Sequence, residues 1–436
     1  MQIDSPIIDA GRPAERQPPF SAPGSAPWRN CLRYSVYLYA LSSPLSIAAT
    51  NMSWCLAAIC LAALSWKNRR LPLPAPTGLS RALWLYLGVA FITSALGIEP
   101  RVSFAHFSSD AHKLWLYHLW STALAIEPAP KALIFLGIGF SLSSLWGVGQ
   151  TVHAYATESF WDMARGGVHH ITYGEQLAFA LLGAVAFFTL FPRYLKIARN
   201  ASGVNGAPAA QHADPRIFWA LCGFCLLGAS AFICSQTRGA WVGFTISLLG
   251  LFALYPFTLK TALKIAPAFI LIFVFLLPQQ GIHELEKRGA SIFDVNENSS
   301  RLALWDVALR IHEDHPLSGV GPNNYRKSFQ FYHPGRLDHD RVWGTAHNLY
   351  LHHLAERGYL GLLSLLLIVL ASLTRSWKNF RSRPNYWSLW ILLVVPAFWI
   401  MNITEVAWGD AMVWMLFLFL WNWAYFNSQR EPPVAI

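Results

Sequence analysis

Charged side chains are scarce in this sequence: Asp, Glu, Lys and Arg make up 13% of the 436 residues, where soluble domains carry roughly a quarter. With 54% hydrophobic residues, 20 Trp and 28 Phe, the chain falls outside the range of water-soluble folds. Acidic residues are the rarer sign, 23 against 33 Lys and Arg, for a formal net charge of +10. No stretch interleaves those cations with aromatics on a soluble face, which argues against a nucleic-acid partner. Cysteine is also sparse. All six (Cys31, Cys55, Cys60, Cys222, Cys225 and Cys234) lie in or beside apolar runs, so neither a disulfide framework nor a zinc site is expected. Cys222-x-x-Cys225 has redox spacing but no second pair, and reads as small buried apolar residues. The run His-Glu-Asp-His at 312–315 lacks the H-E-x-x-H spacing and a third ligand.

What the sequence has in abundance is apolar windows of bilayer length. They predict about twelve spans, at 32–50, 51–66, 82–98, 112–126, 131–152, 172–192, 217–235, 239–256, 261–278, 347–374, 386–403 and 408–427, with Pro44 and His118 interrupting two of them. The expected fold is an all-α polytopic membrane protein. Lys and Arg collect in alternate short loops, at Lys67, Arg69, Arg70 and Arg81, at Lys131, at Arg193, Lys196, Arg199 and Arg216, at Lys260 and Lys264, and at Arg375, Lys378, Arg381 and Arg383, with Arg101, Arg165 and Arg238 the main exceptions in the other loops. By the positive-inside rule those loops and both termini are cytoplasmic. Residues 1–30, rich in proline and without the charged-then-apolar order of a signal peptide, are expected as a disordered cytoplasmic tail. Helices 1–9 would occupy 31–278, a large, mainly helical periplasmic loop domain 279–346, helices 10–12 347–427, and a short cytoplasmic tail 428–436.

Polar groups gather at the outer ends of these spans. The run T-A-H-N-L-Y-L-H-H-L-A-E-R-G-Y-L-G (345–361) sets His347 and Asn348 at the mouth of an apolar helix. At about 100° per residue Gly358 and Gly361 would share the face of His347, with Glu356 pointing away, and would let a neighbouring helix approach. In S-Q-T-R-G-A-W-V-G-F (235–244), Arg238 opens a helix carrying the small pair Gly239 and Gly243. A cation at the positive end of a helix dipole is unfavourable unless an anion binds there. Arg165, followed by His169 and His170, lies in the external loop 153–171. Arg301 begins a loop helix, capped by Asn298 or Ser299, whose apolar positions Leu302, Trp305, Ala308 and Leu309 are spaced by three and four. Glu405, near the outer end of the eleventh span, is a ready ion-pair partner for one of the arginines. Guanidinium forks match phosphate oxygens, and imidazole, which titrates near neutrality, is a natural base for an incoming hydroxyl. Together they suggest group transfer from a polyprenyl-diphosphate carrier.

The spacing His347-Asn348, nine residues, Gly358, two residues, Gly361, resembles the bacterial O-antigen ligase family, whose superfamily includes O-antigen polymerases and O-linked oligosaccharyltransferases. The runs S-Q-T-R-G (235–239), R-L-A-L-W-D-V-A-L (301–309) and H-P-L-S-G-V-G-P-N-N-Y (315–325) resemble its core as well. The resemblance implies a GT-C-like glycosyltransferase of the bacterial inner membrane that moves O-antigen polysaccharide from undecaprenyl diphosphate to lipid A–core, without metal, ATP or other cofactor. His347 would be the base and Arg238 the diphosphate-binding group; Arg165 and Arg301 are further candidates for diphosphate contact, and His169, Asn348 and Glu405 for binding diphosphate or acceptor. A polymerase would use a second lipid-linked glycan as acceptor, an oligosaccharyltransferase a Ser or Thr. A transporter would instead place charges near the membrane midplane, often in repeated halves.

Overall fold

A computed structural model describes residues 24–69, 77–158, 163–200, 215–256, 286, 289–290, 299–332 and 342–434. Among these residues every regular element is a helix. In chain order they are α1 (Ala26–Ser42), α2 (Ile47–Asn68), α3 (Gly78–Leu96), α4 (Pro100–Ile126), α5 (Ala132–Glu158), α6 (His170–Asn200), α7 (Pro215–Cys234), α8 (Arg238–Leu254), α9 (Ser299–Asp314), α10 (Tyr325–Tyr332), α11 (Leu349–Ser382), α12 (Tyr386–Met401) and α13 (Ala411–Ser428). Six of them, α2, α3, α5, α6, α7 and α11, are long and apolar enough to cross a membrane, and α8 and α12 are apolar but shorter. The span expected at 261–278 lies outside the described residues.

The boundaries follow local chemistry. Spans 32–50 and 51–66 were expected to meet near residue 50. Instead α1 stops at Ser42, ahead of Pro44, and α2 starts at Ile47 behind the Ser46 cap, whose hydroxyl accepts from the Ala49 amide. α4 begins at Pro100, well before the expected 112, and three polar residues of its first half, Ser103, Asp110 and Lys113, are buried. Asp110 takes Nη2 of Arg357 on α11 at 2.7 Å and Lys113 Nζ at 3.3 Å, with the Tyr86 hydroxyl 3.2 Å away.

The bundle is built around α12. Thirteen of its sixteen residues are buried, because α6, α8, α11 and α13 all pack on it. Aromatic rings fill the seams: Phe398 of α12 stacks on Phe417 of α13 at 4.1 Å, and Trp387 meets Trp423 edge-on at 4.9 Å. On α11 the pattern is one-sided. Leu360, Leu363, Leu366, Leu367, Leu370 and Leu373 are exposed along one stripe, a face that suits lipid and that water would not tolerate as a patch.

α11 corrects the reading of its glycines. The helix starts at Leu349, so His347 precedes it, and it breaks at Gly358 (φ 59°, ψ −158°), a backbone state essentially reserved for glycine. No single helical face therefore joins His347 to Gly358 and Gly361. A Cβ at Gly358 would collide with the backbone of Pro316 and Leu317, and one at Gly361 with Arg357 of the same helix. The glycine break thus receives a loop, not a membrane helix. Amides freed by it bond across, Tyr359 to the Pro316 carbonyl at 2.8 Å and Leu360 to that of Leu317 at 3.3 Å. In return the Val320 and Gly321 amides donate to Ala355 and Glu356 at 3.1 and 2.8 Å. Glu356, expected to point away, is buried, and its Oε1 accepts from the Tyr325 amide.

This stitching holds α9 and α10 over the start of α11. Their small core comprises Leu304, Val307, Ala308, Ile311, Val320, Tyr325, Phe329, Ala346 and Ala355. The inner face of α9 is therefore 304/307/308/311, while the expected Leu302 and Leu309 are exposed.

Candidate functional site

His347 sits in the turn before α11 with φ 46°, in the left-handed region that non-glycine residues seldom occupy. Two contacts fix that turn. The Asn348 side chain caps α11, its Oδ1 accepting from the Tyr350 and Leu351 amides at 3.0 and 3.1 Å. The Leu349 amide donates to the Asn402 carbonyl at 2.9 Å, tying the start of α11 to the end of α12. Asn348, expected to touch substrate, thus spends its side-chain oxygen on the helix end.

The segment leaving α12 carries Glu405, a buried carboxylate that joins two of the expected site residues. Its Oε1 accepts from Arg301 Nη2 at 2.6 Å, and its Oε2 lies 3.3 Å from His347 Nδ1. The Trp343 ring stands edge-on to the imidazole, centroids 5.4 Å apart. With Nδ1–H donated to Glu405, Nε2 keeps its lone pair and can take a proton. The carboxylate also offsets the charge the imidazole acquires.

Arg238 arrives from the other side as the first residue of α8. Gly239 and Gly243 allow α8 to lie close on α12: a Cβ at Gly239 would stand 2.5 Å from Thr404 Oγ1, and one at Gly243 2.7 Å from the Ala397 carbonyl. Arg238 thereby joins Arg301, Trp305 and Thr404 around a cavity of about 200 Å³. A second cavity, of about 150 Å³, lies past Glu405 and is lined by His169, Glu175, His347, Glu405 and Asp410. Arg165 lines neither; it is exposed, and its backbone amide donates to Gln150 Oε1 at 3.1 Å. Glu175 and Asp410 were missed. Glu175 is a lone acid within an apolar run, which is itself a signal of function, and Asp410 caps α13 through the Met412 and Val413 amides.

A cavity of about 1250 Å³ lies elsewhere, lined by Arg81 of α3 and by Arg375, Lys378 and Arg381 of α11. These cations stand at the far end of α11 from His347, beyond the break at Gly358. His312 is packed edge-on to Tyr359 at 4.5 Å, and burial lowers its pKa. Among the described residues no three His, Cys, Asp or Glu side chains are placed to hold one metal ion.

These features define a helical membrane protein with a histidine–carboxylate–arginine cluster beside a cationic cavity at one end of its bundle. Residues 223–366 match the model of a family described as O-Antigen ligase. The matched stretch contains Arg238, Arg301 and His347. No curated protein matches the chain.

Proposed function

We propose that the chain is an O-antigen ligase that transfers polysaccharide from undecaprenyl diphosphate to a sugar hydroxyl of lipid A–core. The observation that carries this reading is the shared carboxylate, with Glu405 bonded to His347 on one side and to Arg301 on the other. Proton acceptor and anion holder are thereby set on two sides of one rigid group.

In the reaction His347 Nε2 takes the proton of the acceptor hydroxyl while that oxygen attacks the anomeric carbon. The bond from this carbon to the diphosphate oxygen breaks, and the configuration inverts. Arg238 and Arg301 bind the diphosphate and stabilise the charge it gains on leaving. Two guanidiniums supply the positive field that a divalent cation would otherwise provide, so the reaction is metal-independent. His347 then releases its proton to solvent.

The cations at the far end of α11 support an orientation with that end cytoplasmic and His347 on the periplasmic side of the inner membrane. About twelve spans in a GT-C-like arrangement accommodate the segments outside the described residues, and α9 and α10 form part of a periplasmic loop domain at 279–346.

Deleting the gene and staining lipopolysaccharide tests the function. Unsubstituted lipid A–core with accumulated lipid-linked polymer is expected. Loss of polymer length itself would instead identify a polymerase. A folded His347→Ala protein that transfers glycan at the wild-type rate would remove His347 as the base.

A further inference from the structure

Glu405 divides the site into two unlike chambers. Arg238 and Arg301 line one; three carboxyls, Glu175, Glu405 and Asp410, line the other together with His347. Two of those carboxyls are occupied. Glu405 holds Arg301 and His347, and Asp410 accepts from the Thr172 hydroxyl and from two amides of α13. Glu175 differs. It is 1% exposed, and neither carboxyl oxygen has a hydrogen-bond partner among the described residues.

We infer that Glu175 is the acceptor-binding group: the saccharide that supplies the attacking hydroxyl lies in the carboxyl-lined chamber, with its neighbouring hydroxyls hydrogen-bonded to Glu175. The inference rests on the reading of the chain as a glycosyltransferase. A buried polar group without a partner is costly to the fold, and a ligand that donates hydrogen bonds to it recovers that cost. Sugar hydroxyls are such donors. Diphosphate oxygens are acceptors only and carry charge of the same sign as the surrounding carboxylates, so the chamber suits a neutral or amino sugar and rejects the donor's phosphates. His169 and Asp410 also line an adjoining cavity of about 370 Å³, bounded by Ile47, Gly167 and Met412. That volume falls in the range of small-molecule sites, roughly 300–1,000 Å³, and gives the rest of the acceptor glycan a way out. His347 faces the same chamber, so the hydroxyl to be deprotonated and the imidazole share one space.

The test uses the full chain in lipid nanodiscs with Glu175→Leu and Glu175→Gln. Binding of purified lipid A–core is measured without donor, and transfer kinetics are measured with the lipid-linked donor. Glu175→Leu is expected to weaken lipid A–core binding and raise its KM about tenfold, the order set by losing a buried hydrogen bond. The donor KM stays within about twofold, and Glu175→Gln, which keeps an acceptor oxygen, falls between. Removing an unpaired buried carboxyl also raises the unfolding temperature, so stability and acceptor affinity move in opposite directions. Unchanged acceptor binding in Glu175→Leu, or an equal rise in donor KM, overturns the inference while the ligase reading stands. Failure of the wild-type protein to bind lipid A–core overturns the ligase reading itself, whatever the variants do.

Discussion

Glu405 and His347 form a carboxylate–imidazole pair, Oε2 to Nδ1 at 3.3 Å, although 58 residues separate them in the chain. A carboxylate at this distance is placed to set an imidazole's tautomer and orientation, the role the proposed function gives it. Glu405→Gln is expected to lower the turnover of lipid-linked donor by about 10- to 100-fold in a reconstituted transfer assay. Combined with His347→Ala it should add little further loss, since residues that act as a unit are not additive. A full additive effect would show that Glu405 acts apart from His347.

Arg238 and Arg301 should behave as donor-binding groups. Replacing either by Ala is expected to cost about 10²-fold or more in donor kcat/KM, the scale for removing a group that stabilises developing charge. Arg238→Lys should recover only part of it, because an ammonium does not reproduce the two-pronged fit to phosphate. Arg301→Ala carries a second effect, since it frees the Glu405 oxygen now held at 2.6 Å. Its loss should therefore exceed that of Arg238→Ala in turnover when donor is saturating.

The ion pair of Asp110 and Arg357, each 3% exposed or less, concerns stability rather than chemistry. Asp110→Ala leaves Arg357 and Lys113 without their counter-charge in an apolar setting. A loss of about 3–5 kcal/mol is expected, seen as a lower unfolding temperature in detergent micelles. The triple change Asp110→Leu, Lys113→Met and Arg357→Met should restore much of it, because apolar residues of similar volume remove all three charges.

Gly358→Ala combines a strained φ of 59° with a clash against the Pro316–Leu317 backbone. The backbone term alone is about 1–3 kcal/mol, and the clash forces the loop off α11. Increased proteolysis of the segment containing α9 and α10 is the expected sign. Gly250→Ala is the control: open space surrounds it within α8, and stability should be unchanged or slightly raised.

Much of the site was legible because its residues sit where chain chemistry changes. His347 and Arg238 both stand at the boundary between a polar turn and an apolar run, and Gly239 and Gly243 mark the close approach of α8 to α12. The geometry around His347 was not legible. Extending one helical phase from residue 347 to 361 assumes an unbroken helix, and neither the left-handed turn at His347 nor the break at Gly358 appears in periodicity. Buried polar residues were lost for a related reason. Asp110 drew no reading, and Glu356 was read as pointing away, because their partners, Arg357 and the Tyr325 amide, lie 247 and 31 residues away.

The break at Gly358 has a consequence for how the outer segment can vary. The bonds between 355–360 and 316–321 are all between backbone groups, so they do not depend on which side chains the crossing loop carries. Gly319 and Gly358, both with positive φ, act as the two halves of a socket. A different extramembrane segment ending in the same turn would plug into it with its register preserved. Segments exchanged at this joint are expected to keep the crossing turn seated on α11 while presenting a new outer surface.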